Sequence, residues 1–239
     1  MHRLGHTRSA HKADHLLQTP DTFVRASLPG MQHATAIVHA APAGGAMFTQ
    51  YTVEFEAGGE LPPTDVQRFV YVLEGAADLD GEGLAPGGFA YLPPEYDAAI
   101  TTTAAARVVV IEKPYEPLDN RDAPGLLIGH ERDTPVSLLN ADPWLEVRGL
   151  VPDDAAFDFR VSTMTYQPGA GLPMVEIHVM EHGLLMLEGG GIYRLGDSWY
   201  AVTAGDFIWM APYCPQWFGA IGKTRAKYLI YKDWDRHPL

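Results

Sequence analysis

The chain has 239 residues, of which 46% are hydrophobic and 20% are charged, a length that suits one or two globular domains. Its formal net charge of −13 argues against a nucleic-acid backbone or an anionic membrane surface as a partner. A single cysteine excludes an intrachain disulfide, no apolar run is long enough to span a bilayer, and the polar N-terminus lacks a secretory signal, so a cytoplasmic protein is expected.

Residues 1–30 are polar, are interrupted by glycine and proline, and contain His2, His6, His11 and His15. We interpret this segment as an N-terminal arm that is either solvated or packed on a partner subunit. A loose metal site formed by the histidines is the alternative.

The pattern after residue 31 is that of short strands. Runs of β-branched and aromatic residues bounded by glycine and proline predict strands at 33–40, 47–55, 68–75, 88–92 and 107–112. No stretch in this region has a helical period of 3.6 residues. Five prolines mark the segment that follows, and we interpret residues 116–145 as a connector that covers a surface.

The second half of the chain repeats the first half. Residues 187–189 match 73–75 (Leu-Glu-Gly in both), residues 204–212 match 86–94, and residues 227–232 match 108–113. Two tandem all-β units of about 100 residues each are therefore predicted. We place them at 31–115 and 146–239.

One stretch, residues 176–182, holds two histidines and two glutamates. His178, Glu181 and His182 form the H-x-x-E-H pattern of a class of zinc proteases, which requires a helix. Prolines at the matching position of the first half, and Gly183 directly after His182, argue against a helix. On a strand, Glu176, His178 and His182 face the same side. Glu181 has the opposite parity and is interpreted as facing outward.

A straight strand would place His178 and His182 about 13 Å apart, which is too far for them to share a metal ion. The strand interpretation therefore requires a bend or a tight turn between the two histidines.

The spacing of glycines and polar residues in the second half resembles the cupins. It consists of Gly171, Glu176, His178, His182, Gly189, Gly205, Asp206, Pro212 and Gln216. The resemblance implies an all-β bicupin: two tandem cupin barrels of the jelly-roll (double-stranded β-helix) type, with a divalent metal inside. Residues 175–185, 191–200, 208–217 and 223–233 are similar to the (S)-ureidoglycine aminohydrolases in particular.

The predicted metal ligands are Glu176, His178, His182 and Gln216, which offer two imidazole nitrogens and two oxygens but no thiolate. Such a set suits Mn²⁺, with Fe²⁺, Ni²⁺ and Zn²⁺ as open alternatives, and the resemblance implies manganese. The aligned positions of the first half are Pro62, Thr64, Arg68 and Ala98. None of them suits a divalent ion, so the first barrel is predicted to be metal-free and structural.

The resemblance also implies a pocket made by Tyr193, Tyr228 and Lys232. All three are expected to bind substrate, and Lys232 and Tyr228 are the candidate catalytic residues. From the pattern alone, Lys232 suits a solvated strand end, and each tyrosine suits the core. The lone Cys214 is interpreted as a small buried hydrophobic residue.

The function implied by the resemblance is the conversion of (S)-ureidoglycine and water to (S)-ureidoglycolate and ammonia, a step of allantoin degradation in purine catabolism. The alternatives are a metal-dependent bicupin dioxygenase or decarboxylase that acts on a small organic acid, and a cupin that binds a ligand without catalysis. The expected partner is a small-molecule substrate. Exposed sheet edges also predict a homodimer or a higher homo-oligomer.

Overall fold

The computed structural model describes residues 5–236, which form short antiparallel strands joined by turns. The first half contains β1 (Ala10–His11), β2 (His15–Gln18), β3 (Gln32–Ala40), β4 (Thr49–Leu61), β5 (Gln67–Glu74), β6 (Ala77–Leu79), β7 (Glu82–Leu84), β8 (Gly88–Leu92), β9 (Ile100–Thr101) and β10 (Ala106–Lys113). The second half contains β11 (Leu127–His130), β12 (Ser137–Leu138), β13 (Leu145–Gly149), β14 (Arg160–Tyr166), β15 (His182–Glu188), β16 (Gly190–Leu195), β17 (Ser198–Thr203), β18 (Phe207–Met210), β19 (Gln216–Ala220) and β20 (Ala226–Lys232).

The helical segments between residues 5 and 236 are single 3-10 turns. They span Pro20–Thr22, Pro42–Gly44, Glu131–Asp133 and Leu139–Ala141. Among these residues there is no helix long and apolar enough to cross a membrane.

The chain divides into two compact units. The first, here called the N-terminal barrel, comprises residues 24–134 and 150–158, and the second, the C-terminal barrel, comprises the described residues 5–23, 135–149 and 159–236. The predicted all-β bicupin fold is confirmed.

The N-terminal barrel is built on one antiparallel sheet of nine strands. Their order is β11-β8-β5-β10-β4-β9-β6-β7, with β3 paired to β4. The core of this sheet is largely aliphatic, because β-branched residues such as Val53, Val70 and Val108 alternate toward the interior and are fully buried.

The C-terminal barrel combines an eight-stranded sheet, in the order β1-β2-β18-β15-β20-β14-β13-β12, with a three-stranded sheet, β17-β16-β19. Its core differs in chemistry from that of the N-terminal barrel. The side chains of Tyr166, Tyr193 and Tyr228 are buried there around Phe218. These phenols bring polar atoms into an otherwise apolar interior.

The segment predicted as an arm belongs in part to the C-terminal barrel. Strand β2 pairs with β18, with His15 opposite Met210, and Arg8 forms an ion pair with the buried Asp206 at 2.6 Å. Along this strand the buried residues His15, Leu17 and Thr19 alternate with half-buried residues. This alternation is too short for the sequence alone to distinguish a strand from an irregular arm. His6 and His11 are exposed, and His2 lies outside the described residues.

The predicted connector also contributes strands. Within residues 116–145, β11 pairs with β8, and β12 pairs with β13 at the edge of the eight-stranded sheet.

Candidate metal centre

The stretch from Glu176 to His182 is a bent loop that leads into a strand. Glu176 forms an isolated antiparallel bridge with Gln216, in which each backbone N–H donates to the other residue's carbonyl, at 2.8 and 2.9 Å. The chain bends at residues 179–180, and strand β15 begins at His182. A helix is absent from residues 171–188, so the zinc-protease interpretation of H-x-x-E-H is wrong.

The bend brings the two histidines together. Their ring centroids are 5.1 Å apart, against about 13 Å for a straight strand. The carbonyl of His178 accepts a hydrogen bond from the Tyr213 N–H at 2.7 Å, which fixes the loop to the turn that precedes β19.

The four predicted ligands are linked in pairs: Glu176 with Gln216 through the backbone bridge, and His178 with Glu176 and with His182 through side chains. The Nε2 atom of His178 is 3.1 Å from a carboxylate oxygen of Glu176, and the Tyr193 hydroxyl donates to Oε1 of Gln216 at 3.2 Å. His182 is fully buried, and neither of its ring nitrogens has a hydrogen-bond partner. Buried imidazole nitrogens normally have hydrogen-bond partners. The two ring nitrogens of His182 have none, which fits a histidine that binds a metal ion.

Lys232 lies directly opposite His182 across β20 and β15. Burial lowers the pKa of Lys232, and the nearby Glu176 carboxylate partly opposes this shift. Burial, and then the charge of Lys232, hold the pKa of His182 well below its usual value, so the imidazole is neutral. A neutral imidazole is the form that coordinates a metal ion.

The tyrosines form a hydroxyl cluster in the same core. The Tyr228 hydroxyl is 2.7 Å from the Tyr166 hydroxyl and 3.4 Å from the Met164 sulfur. Burial raises the pKa of Tyr228 and of Tyr193 well above the usual value, so both remain protonated hydrogen-bond donors. Sequence reasoning missed Tyr166, which sits two residues after Met164 in β14 and thus shares its face of the strand.

Two other residues of interest are buried. Glu181 accepts a hydrogen bond from the Trp209 indole at 2.9 Å and is buried, so the interpretation that it faces outward is wrong. Cys214 is buried in the core cluster, as expected, and burial raises the pKa of its thiol to about 11.

Asp14, His15 and Cys214 form a separate cluster. Their donor atoms lie within 4.8 Å of one another, and no other set of three His, Cys, Asp or Glu side chains in the described chain does so. Glu176, His178 and His182 therefore do not converge to that distance.

In the N-terminal barrel, Arg68 holds the position that His182 holds in the C-terminal barrel. Arg68 pairs across the strands with Glu112, as His182 pairs with Lys232. The buried guanidinium donates to Glu112 and to the Pro62 carbonyl, each at 2.7 Å. The sequence match placed Lys113 opposite Lys232, so that alignment was wrong by one residue.

Comparison with known proteins adds to this geometry. A model of the cupin domain matches residues 162–231. The chain is 42% identical to the (S)-ureidoglycine aminohydrolase of Arabidopsis thaliana, across 98% of this chain and 80% of that protein. This chain belongs to the (S)-ureidoglycine aminohydrolase family.

Solved structures agree with the cupin fold. A Pseudomonas aeruginosa structure described as a glyoxylate-induced protein has a TM-score of 0.89 at 30% identity, and the match covers 100% of this chain and 95% of that one. Oxalate decarboxylase from Bacillus subtilis has a TM-score of 0.71 at 10% identity, over 97% of this chain and 80% of that one, which shows the fold alone.

Membership of the (S)-ureidoglycine aminohydrolase family confirms the resemblance drawn from the sequence, and with it a hydrolase that acts on a C–N bond. The cupin fold also suggests a metal, and the buried donors of His182 fit one.

Proposed function

We propose that this protein is a metal-dependent enzyme that converts (S)-ureidoglycine and water to (S)-ureidoglycolate and ammonia. One observation carries the choice of substrate: the similarity to proteins that bear this activity in their names extends over nearly the whole chain. In the reaction, the C–N bond to the amino group breaks, a C–O bond to water forms, and the amino group leaves as ammonia. The proposal places this step in allantoin degradation.

Glu176, His178, His182 and Gln216 would hold the ion, and we propose Mn²⁺ because the set combines two imidazoles with two oxygens. With one carboxylate and three neutral ligands, a bound divalent ion would keep a net positive charge. It would then attract the carboxylate of the substrate and act as a Lewis acid. The unpartnered nitrogens of His182 support this assignment. The Tyr193 hydroxyl, bonded to Gln216, fixes the orientation of that amide.

Lys232 and Tyr228 would complete the site. The ammonium group of Lys232, placed opposite His182, would bind the substrate carboxylate or deliver a proton to the departing amine. The hydroxyl of Tyr228, oriented by Tyr166, would donate a hydrogen bond to the substrate. Contacts to several groups of one small molecule would fix its pose and make the reaction enantioselective.

The test is ammonia release from enzymatically generated (S)-ureidoglycine by purified protein supplied with Mn²⁺. The wild type should release ammonia well above the spontaneous rate. His178→Ala should lose both the bound metal and the rate, whereas His11→Ala, a control that removes an exposed imidazole, should keep both. A wild-type rate equal to the spontaneous rate would overturn the substrate. A fully active His178→Ala would overturn the site.

The homo-oligomer stays a prediction. At the sheet edge formed by β12, Val136 and Leu138 are exposed, and such an edge is a common place for subunits to meet. Sedimentation of the purified protein measures its mass, and a monomer at micromolar concentration would contradict the prediction.

A further inference from the structure

We propose that Asp14, His15 and Cys214 form a second metal site, one that takes a Zn²⁺-like ion and fastens the N-terminal strand to the C-terminal barrel. The donors are a carboxylate oxygen, an imidazole nitrogen and a sulfur, all within 4.8 Å of one another. His15 and Cys214 are buried, and Asp14 is half-buried. This inference is independent of the proposed reaction.

The backbone holds the two segments together at this point. His15 pairs with Met210, and the Asp14 carbonyl accepts a hydrogen bond from the Ala211 N–H at 3.0 Å. The chain then turns through residues 211–215, where the Cys214 N–H donates to the Ala211 carbonyl at 3.1 Å. The approach of the three side chains is therefore fixed by main-chain contacts on both sides.

Two backbone features at the cluster accompany this arrangement. Tyr213, directly before Cys214, has a φ of 63°, a left-handed conformation that is unfavourable for a residue other than glycine. A Cβ atom at position 196 would lie 2.8 Å from a carboxylate oxygen of Asp14, and the residue there is glycine. The turn is strained where it presents the thiol, and the neighbouring hairpin leaves space for the carboxylate.

Both ring nitrogens of His15 have polar neighbours, and one of them resembles the outer contact of a ligating histidine. Its Nε2 atom is 2.8 Å from the Tyr200 hydroxyl, while its Nδ1 atom faces Asp14 at 2.9 Å. A metal-bound histidine characteristically uses its second ring nitrogen for an outer hydrogen bond that fixes the ring. With Nε2 held by Tyr200, Nδ1 is the nitrogen that would take the ion, in place of its bond to Asp14.

The donor set predicts which ion binds. Bonds of 2.0–2.3 Å to a tetrahedral Zn²⁺ place donor atoms about 3.5 Å apart. Donor atoms within 4.8 Å of one another would need to approach by at most about 1.3 Å, and the His15 and Asp14 atoms, now 2.9 Å apart, would need to separate by about 0.6 Å. Sulfur and imidazole ligands favour Zn²⁺ over Mn²⁺ or Mg²⁺. Binding would displace the thiol proton to solvent, and a water molecule would complete the fourth position.

The sulfur ligand makes this site measurable in the presence of the other one. The set Glu176, His178, His182 and Gln216 contains no thiolate. Co²⁺ is a common substitute for Zn²⁺, and a cobalt–thiolate bond gives a charge-transfer absorption in the near ultraviolet. Chelator-treated full-length protein is therefore titrated with Co²⁺ and followed by absorption.

We expect the charge-transfer absorption to grow as Co²⁺ is added, to saturate at one equivalent in His178→Ala, where the other site is lost, and to disappear when Zn²⁺ is added. Cys214→Ser should abolish it, and His178→Ala should keep it. Asp14→Asn, a change at a half-buried position that preserves shape, should weaken Co²⁺ binding at this site at least about tenfold. The inference is overturned if the wild type binds Co²⁺ without this absorption, or if the absorption survives in Cys214→Ser. It is also overturned if Asp14→Asn has the same affinity for Co²⁺ as the wild type in this titration.

Discussion

His39 in the N-terminal barrel predicts a specific acid sensitivity. Its imidazole is buried, with Nε2 2.9 Å from the Thr52 hydroxyl, and burial, followed by the charge of Arg107, lowers its pKa to about 3. In the unfolded chain the same group titrates near 6.5. The unfolded state therefore binds a proton that the native state refuses, and native stability falls as the pH drops from 6.5 toward 3.

The size of the effect follows from the shift. Each pH unit in this window costs the native state roughly 1.4 kcal/mol, so the contribution at pH 4.5 is about 2.7 kcal/mol relative to pH 8. Other groups titrate in the same range. The informative quantity is therefore the difference in unfolding free energy between the wild type and His39→Gln, measured as a function of pH.

The assay is urea unfolding followed by circular dichroism at several values from pH 8 to pH 4.5. Loss of packing in His39→Gln changes the unfolding free energy of the variant by the same amount at every pH. Loss of the titrating imidazole should in addition stabilise the variant relative to the wild type by about 2.7 kcal/mol as the pH falls to 4.5. His11→Gln, which removes an exposed imidazole, shows whether the trend is particular to His39. A difference that stays flat with pH would refute the reasoning.

Three further results are expected. Chelation should abolish ammonia release and Mn²⁺ should restore it; full activity in protein shown by elemental analysis to be metal-free would contradict the proposed chemistry. Tyr166→Phe removes the hydroxyl that orients Tyr228, so kcat/KM should fall about five- to tenfold with the metal content unchanged. The control Tyr96→Phe removes a hydroxyl that bonds Asp80 in the N-terminal barrel and should have no effect on the kinetics; equal kinetics in both variants would exclude the orienting role. Arg68→Met leaves Glu112 without its cation and should lower the free energy of unfolding in urea by about 2–3 kcal/mol. The double variant with Glu112→Gln should recover most of this loss. A loss below about 0.5 kcal/mol in Arg68→Met would show that the ion pair does not stabilise the fold.

Much of this fold was predictable, because its signals are local. The alternation of β-branched residues placed the strands, and the glycine and proline turns bounded them. The predicted strand at 88–92 agrees residue for residue with β8. The other predicted strands differ from the observed ones at their ends; β4, for example, continues to Leu61. The bend between His178 and His182 was required by a distance argument alone.

The errors were those of long-range pairing. Strand β2 pairs with a strand almost 200 residues further along the chain. Its four residues are too few for their alternation to predict a strand or its partner. The one-residue error between Lys113 and Glu112 arose because the sequence match paired the two lysines, whereas the cross-strand partners Arg68 and His182 make Glu112 the counterpart of Lys232. Tyr166 was missed because its importance depends on a hydroxyl across the sheet.

The pairing of β2 with β18 affects how the protein is made. Met210 leaves the ribosome 195 residues after His15, which at typical synthesis rates is roughly 10–40 s later. During that interval β2 waits without its partner, while residues 24–134 of the N-terminal barrel can already fold. Strand β2, which is synthesised early, is thus among the last strands to be incorporated. A change at the N-terminus, such as a purification tag, would therefore act on assembly of the barrel that holds the candidate metal centre.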